Sequence, residues 1–150
     1  MPLVYADTSA LFAFFHPKDQ FSNALTEAVR ELSPDFVYWS YIRFELRHNL
    51  RQSRFDSYGE LAWSALRAAE RTQARLRWES NLKCDSVIEA ADEFSGHIAK
   101  QFSAGCGDFL HISAARRLLH LSGINGFWTC DAEQAKAAKA AGLDVRLFTR

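Results

Sequence analysis

The stretch "LVYADTSALFAF", Leu3 to Phe14, sets the fold. Leu3 to Ala6 form a short apolar run with aromatic and β-branched members, the pattern of a buried strand. Asp7 follows at once, then two hydroxyl residues, Thr8 and Ser9, and then an apolar run to Phe15 that reads as a short helix. An acid at such a junction can cap the helix, because its side chain accepts from amides that the first turn leaves unpaired. It also stands beyond the carboxyl end of a strand, which is where open α/β sheets bind their ligands.

Outward from this junction, strand-like and helix-like stretches alternate. "HPKD" turns the chain, and Asp19 or Ser22 can cap a helix to about Leu32, which Pro34 then closes off. Phe36 to Trp39 reads as a second strand. A helix from about Tyr41 to Arg54 and a long one from about Glu60 to Trp78 follow. Asp85 is placed to cap a helix to about Phe102, and after "SAGCGD" Asp108 opens another that ends near Leu121. Phe127 to Thr129 is a third strand, Ala132 to Ala141 a helix stopped by Gly142, and Leu143 to Phe148 a fourth strand. Strands separated by helices need crossover connections, so the expectation is an α/β fold: a central parallel sheet of about four or five strands flanked by helices.

The bulk properties agree with one domain over residues 1–150. The chain has 48% apolar and 24% charged residues, an ordinary globular composition, and no apolar run long enough to span a bilayer. Strand-like sequence directly after Met1 leaves no room for a signal peptide, which points to a cytoplasmic protein. Cys84, Cys106 and Cys130 form no C-x-x-C pair, so reduced thiols are expected. A net charge of zero excludes a protein that grips nucleic acid over its whole surface. Arg43 to Lys83, however, carries nine basic against five acidic residues, a local excess of four that has to have a use.

Asp7 in "YAD" and Asp131 in "FWTCD" both end strands, while Glu45 in "SYIRFEL" and Asp108 in "GCGDFLHISAA" lie at or near helix starts. Singly, Asp108 and Asp131 are good caps, and Glu45 suits a solvated helix face. Four such acids around one crevice are another matter, since unit charges ~4 Å apart repel by several kcal/mol at an effective dielectric near 20. Such a group calls for a cation. Oxygen ligands alone favour Mg²⁺ or Mn²⁺, and the chemistry that joins these ions to phosphate oxygens is phosphodiester hydrolysis. Thr8, Ser9 and Thr129 lie beside the acids, where their hydroxyls could orient a phosphate or a water, or simply cap.

The succession "YADTSAL", "SYIRFEL", "GDFLHISAA" and "FWTCDAEQAKAAKAAGLDV" resembles the PIN domain, most closely the VapC-type ribonuclease toxins of bacterial toxin–antitoxin pairs. The likeness runs over essentially the whole chain. It implies a PIN-like fold and a Mg²⁺- or Mn²⁺-dependent endoribonuclease that acts on RNA, is frequently a homodimer, and is inhibited by a cognate antitoxin. Carried over by motif, Asp7, Glu45, Asp108 and Asp131 match the family's acidic residues and Ser9 a frequent hydroxyl position. Cys130 departs from the apolar or aromatic residue that often precedes the last acid.

Arg43, Arg47, Arg51 and Arg54 share one helix face by spacing. They read either as a phosphate track leading RNA to the metal or as a solvated face. Trp39, Trp63, Trp78 and Trp128 could stack on unpaired bases, but packing is the default for each. His48 and His111 read as polar neighbours of the site. The pairs Glu45-x-x-His48 and Asp108-x-x-His111 also fit a di-iron bundle, a reading that the strands oppose. The alternative to a nuclease is a PIN-like module that binds RNA or a partner with little or no catalysis.

Overall fold

The computed structural model describes residues 1–150. Five parallel strands form one sheet: β1 (Leu3–Ala6), β2 (Asp35–Tyr38), β3 (Leu76–Trp78), β4 (Gly126–Thr129) and β5 (Val145–Leu147), in the order β3-β2-β1-β4-β5. Seven helices fill the connections: α1 (Thr8–Phe15), α2 (Ser22–Leu32), α3 (Ser40–Gln52), α4 (Ser57–Thr72), α5 (Cys84–Ile98), α6 (Cys106–Leu121) and α7 (Ala132–Ala140). From β1 the chain builds outward through β2 to β3, then returns to lay β4 on the other side of β1. That reversal puts the topological switch point between β1 and β4. The register across it, Val4 beside Gly126 and Ala6 beside Trp128, brings the carboxyl ends of both strands to the same level.

Every residue of β1 is buried, as a central strand covered on both faces requires. Tyr5 stacks on Phe127 of the neighbouring strand at 5.6 Å between ring centres, both rings fully buried. Leu11, Leu25, Ile42, Leu46, Leu50, Leu66, Ile112 and Leu118 bring the helices down onto the sheet with no exposed surface. Each such side chain contributes about 1.5–3 kcal/mol by leaving water.

The parallel α/β architecture is the one expected, with five strands. The fifth is β3, whose residues fall within the helix expected from Glu60 to Trp78. The helix in fact stops at Thr72, because Gln73 and Arg75 adopt left-handed backbone (φ 54° and 59°) and swing the chain into extended conformation. Leu76 then pairs beside Phe36 and is buried, a tertiary gain that outweighs the good helix propensity of "ARLRW". Two caps also differ. Asp85 lies inside the first turn of α5, whose N-cap position is Lys83, and Phe102 lies beyond that helix's end at Ile98. Helix α6 begins two residues before Asp108, with Gly105 at the N-cap. Gly142, at φ 86°, supplies the left-handed turn expected after α7.

Candidate active site

The two strand ends at the switch point carry Asp7 and Asp131. Asp7 occupies the N-cap of α1: Oδ1 accepts from the Ala10 amide at 2.9 Å and from Ser9 Oγ at 2.7 Å, and Oδ2 accepts from Thr129 Oγ1 at 2.6 Å. The capping reading is therefore correct locally, yet a cap needs neither three donors nor burial to 2% exposure. Burial pushes the Asp7 carboxyl above its ordinary range, and the nearby His111 together with the hydrogen bonds from Thr129, Ala10 and Ser9 only partly offsets this. Asp131 caps α7 through Oδ1, which accepts from the Glu133 and Gln134 amides at 2.8 and 3.0 Å; Oδ2 accepts nothing.

Thr129, the last residue of β4, ties the two ends together. It has no exposed surface, gives its proton to Asp7 and accepts from the Asp131 amide at 3.0 Å. Its oxygen also lies 3.0 Å from the Gln134 side-chain oxygen, while the buried Gln134 Nε2 has no partner. A hydroxyl carries one proton, and Asp7 takes it. The Gln134 carboxamide satisfies both groups when turned round, its NH₂ donating to Thr129 and its oxygen left as a further acceptor beside the acids.

Glu45 enters from α3, one turn from Asn49 on the same face. Its Oε1 accepts from His111 Nε2 at 2.9 Å and from the Thr8 hydroxyl, and its Oε2 accepts from Tyr41 Oη at 2.8 Å. Burial alone would raise its pKa, but His111, Thr8 and Tyr41 together bring it down to about 2. A buried chain stands behind His111. Trp39 Nε1 can only donate, and it donates to Tyr5 Oη at 3.0 Å; the Tyr5 hydroxyl proton is then free for His111 Nδ1, also at 3.0 Å. Nδ1 accepts, so Nε2 bears the proton that meets Glu45.

Asp108, third residue of α6, accepts from the Gly105 amide at 2.8 Å through Oδ2, which satisfies the N-cap donor from one side only and leaves Oδ1 without a partner. Its carboxyl is raised by burial and by the charges of Asp131 and Glu45, against the Gly105 bond. A Cβ at Gly107 beside it would stand 2.8 Å from Tyr41 Oη and displace the hydroxyl that bonds Glu45.

Asp7, Glu45, Asp108 and Asp131 thus line one hollow of about 280 Å³, with Thr8, Ser9, Asn49, His111 and Gln134 also on its walls and no hydrophobic residue among them. No three Asp, Glu, His or Cys groups converge closely enough to hold one ion by themselves. The donor set still suits a hard cation: it is all oxygen, it carries excess negative charge, and Asp108 Oδ1 and Asp131 Oδ2 are free to bind. Mg²⁺ commonly takes only one or two carboxylates and completes its shell with waters and substrate phosphate.

The arginine stripe lies elsewhere. Arg43 and Arg47 sit roughly 160° round α3 from Glu45 and Arg51 about 120°, while Arg54, expected on the same helix, lies in the turn after α3 ends at Gln52. Arg47 forms a two-point pair with Glu70, both contacts at 2.9 Å, and Arg54 pairs with Glu60. Arg43 lies over the Trp78 ring at 5.1 Å, while Arg51 and Arg54 lie over Trp63. None of the four touches the hollow. His48 is on the surface against Phe44, so of the two histidines only His111 belongs to the site. Trp39 and Trp128 are buried, and Trp78 is exposed. The links of Tyr5 to Trp39 and His111 had no sequence signal, because partners 34 and 106 residues apart meet only in the fold, whereas Tyr41 stands one helical turn before Glu45, a spacing the sequence does carry.

No protein-family model matches the chain, and no curated protein does. Among solved structures, VapC20 of Mycobacterium tuberculosis, described as a sarcin–ricin-loop-cleaving toxin, superposes with a TM-score of 0.66 at 17% identity over 93% of this chain and 95% of that one. VapBC2 of Rickettsia felis, solved on a DNA fragment from its promoter, gives 0.61 at 15% identity over 98% and 99%. A domain of unknown function from Methanocaldococcus jannaschii gives 0.53 at 14% over 100% and 93%. The chain has the PIN-like fold of the VapC-type toxins.

Proposed function

We propose that this protein is a divalent-metal-dependent endoribonuclease, the toxin of a toxin–antitoxin pair. The observation that carries the reading is the meeting of Asp7, Glu45, Asp108 and Asp131, from four separate places in the chain, around one polar hollow at the switch point of a parallel sheet. Mg²⁺ or Mn²⁺ would be held by these acids, Asp108 and Asp131 through their free oxygens. When bound, the ion activates a water and neutralises charge on the scissile phosphate.

The chain's own side chains do the rest. The buried hydrogen bonds to Asp7 and Glu45 hold both carboxylates in place before substrate arrives, so that no reorganisation is needed at the reacting centre. Ser9, exposed at the start of α1, joins Asp7 to the Cys130 amide and can release its proton towards a phosphate oxygen. His111 and Thr8 keep Glu45 ionised.

An RNA substrate follows from this reading, with Arg43 and Arg51 as the stripe members free of carboxylate partners and open to phosphate. Phe44, Phe55 and Leu61 are 67%, 85% and 63% exposed on or near α3 and α4, apolar surface that a cognate antitoxin or a second copy in a homodimer would cover. No helix is long and apolar enough to cross a membrane, which agrees with a cytoplasmic toxin.

The test is incubation of purified protein with Mn²⁺ and a mixed RNA pool, alongside Asp7→Asn and Asp108→Asn. Cleavage in wild type that falls by about 10² or more in both variants is expected. Undiminished cleavage in both would remove the assignment, and intact RNA with wild type would leave a binding module.

A further inference from the structure

The other face of α6 opens on a second, larger hollow of about 560 Å³, bounded by α5, α6 and the end of α7. Ser113 lies two residues beyond His111, about 200° round the helix, so α6 serves the acid hollow with one side and this groove with the opposite one. Ser113, Arg116, Arg117 and His120 follow the spacing of a single helix stripe, and His97 faces them from α5. Four basic residues meet one acid there, Glu93, and the six ion pairs of the molecule include none of them.

Two details turn this basic groove into a built site. The Arg116 guanidinium lies over the Phe94 ring at 4.8 Å, a cation–π contact that steadies it while its N–H donors have no carboxylate partner. The Ser113 hydroxyl is buried, with the residue only 4% exposed, and has no hydrogen-bond partner. A helical serine ordinarily satisfies itself on the carbonyl four residues back. Ser113 does not, so its desolvation goes uncompensated until something else accepts its proton.

We propose that this groove binds a phosphate group, with Ser113 donating one hydrogen bond and Arg116 and Arg117 supplying charge and paired donors. A walled space of this volume lies within the range of small-ligand sites and accommodates a mononucleotide. Glu93 at the rim disfavours a ligand whose charge extends towards α5. The inference does not depend on the hydrolytic reading, because no residue is shared between the two hollows.

Calorimetry on the intact protein in EDTA, which silences the acid hollow as a metal-bridged phosphate site, tests it with three probes: inorganic phosphate, adenosine 5′-monophosphate and a short single-stranded RNA. Saturable one-to-one binding is expected, weakened about tenfold or more in Arg117→Ala and in Ser113→Ala, the weight of one charge-assisted hydrogen bond. Ser113→Ala removes only an unpaired hydroxyl and keeps the fold, so its loss of affinity reports on the ligand. Equal affinity for phosphate and the nucleotide assigns a free phosphate, preference for the nucleotide a nucleotide site, and binding of the RNA alone a backbone contact. Absence of saturation with all three probes, or affinities unchanged in both variants, overturns the proposal.

Discussion

Asp7 is held at a cost. Its burial opposes ionisation, and a raised folded pKa means that the carboxylate destabilises the fold at neutral pH. Asparagine caps a helix as well as aspartate, and its NH₂ can donate to Thr129, whose proton then goes to the Gln134 oxygen as that carboxamide turns back to face it. Asp7→Asn is therefore expected to raise Tm while abolishing cleavage, read by thermal melts beside the RNA assay; a lower Tm would contradict the view that the site is bought with stability. Tyr5→Phe probes the other carboxylate. It strands Trp39 Nε1 and leaves His111 Nδ1 without its donor, at about 1–3 kcal/mol in urea unfolding, and on the proposed reading kcat falls while KM changes little. Unchanged stability would dissolve the chain as described. At this scale the acids were visible in the sequence, since a carboxylate after an apolar strand is a local signal. What supports them was not: Tyr5 looks like any strand aromatic until Trp39 and His111 are seen on either side of its hydroxyl.

Elements were legible where the local pattern and the tertiary demand agreed. The β1–α1 junction and α7 with its terminal Gly142 are of that kind. Leu76 to Trp78 were not, because the left-handed residues that end α4 are Gln73 and Arg75, neither of them glycine, and only the partner strand β2 makes that backbone worthwhile. The same distinction applies to α3. Periodicity grouped Arg43, Arg47 and Arg51 on one face, but α3 ends at Gln52 and leaves Arg54 in the turn beyond it, and spacing could not show that the face meets α4 rather than the hollow. Arg47 is engaged by Glu70 beneath the Tyr38 hydroxyl, whereas Arg51 has only the Trp63 ring. Arg47→Ala is thus expected to lower stability by about 1–3 kcal/mol with little change in the salt dependence of RNA binding. Arg51→Ala should leave stability nearly alone and reduce that salt slope by roughly 0.7, the loss of one single-strand phosphate contact. Equal slopes in wild type and Arg51→Ala would end the track reading.

The whole molecule has no net charge, yet it gathers four acids at the carboxyl edge of the sheet and three arginines on the far side of α3, with Arg54 just beyond its end. That segregation governs its response to pH and ions. Asp7 and Asp108 have raised folded pKa values, so their contribution favours the fold when they are protonated and is lost as pH rises through those values. Glu45 acts in the opposite sense, stabilising above its unfolded value near 4.5 and losing that effect as pH falls towards about 2. In EDTA, stability is expected to rise from neutral to mildly acid pH and to fall again below about 4. Saturating Mn²⁺ at neutral pH should offset the repulsion and raise stability by about 2.7 kcal/mol at a hundred times Kd, an increment lost in Asp108→Asn. A Tm indifferent to Mn²⁺ would count against the cluster as a cation site. The most direct measurement is anomalous diffraction from crystals soaked in Mn²⁺: a peak within bonding distance of at least two of Asp7, Glu45, Asp108 and Asp131 is the predicted result, and an empty hollow, or manganese bound only at other places, would contradict the account.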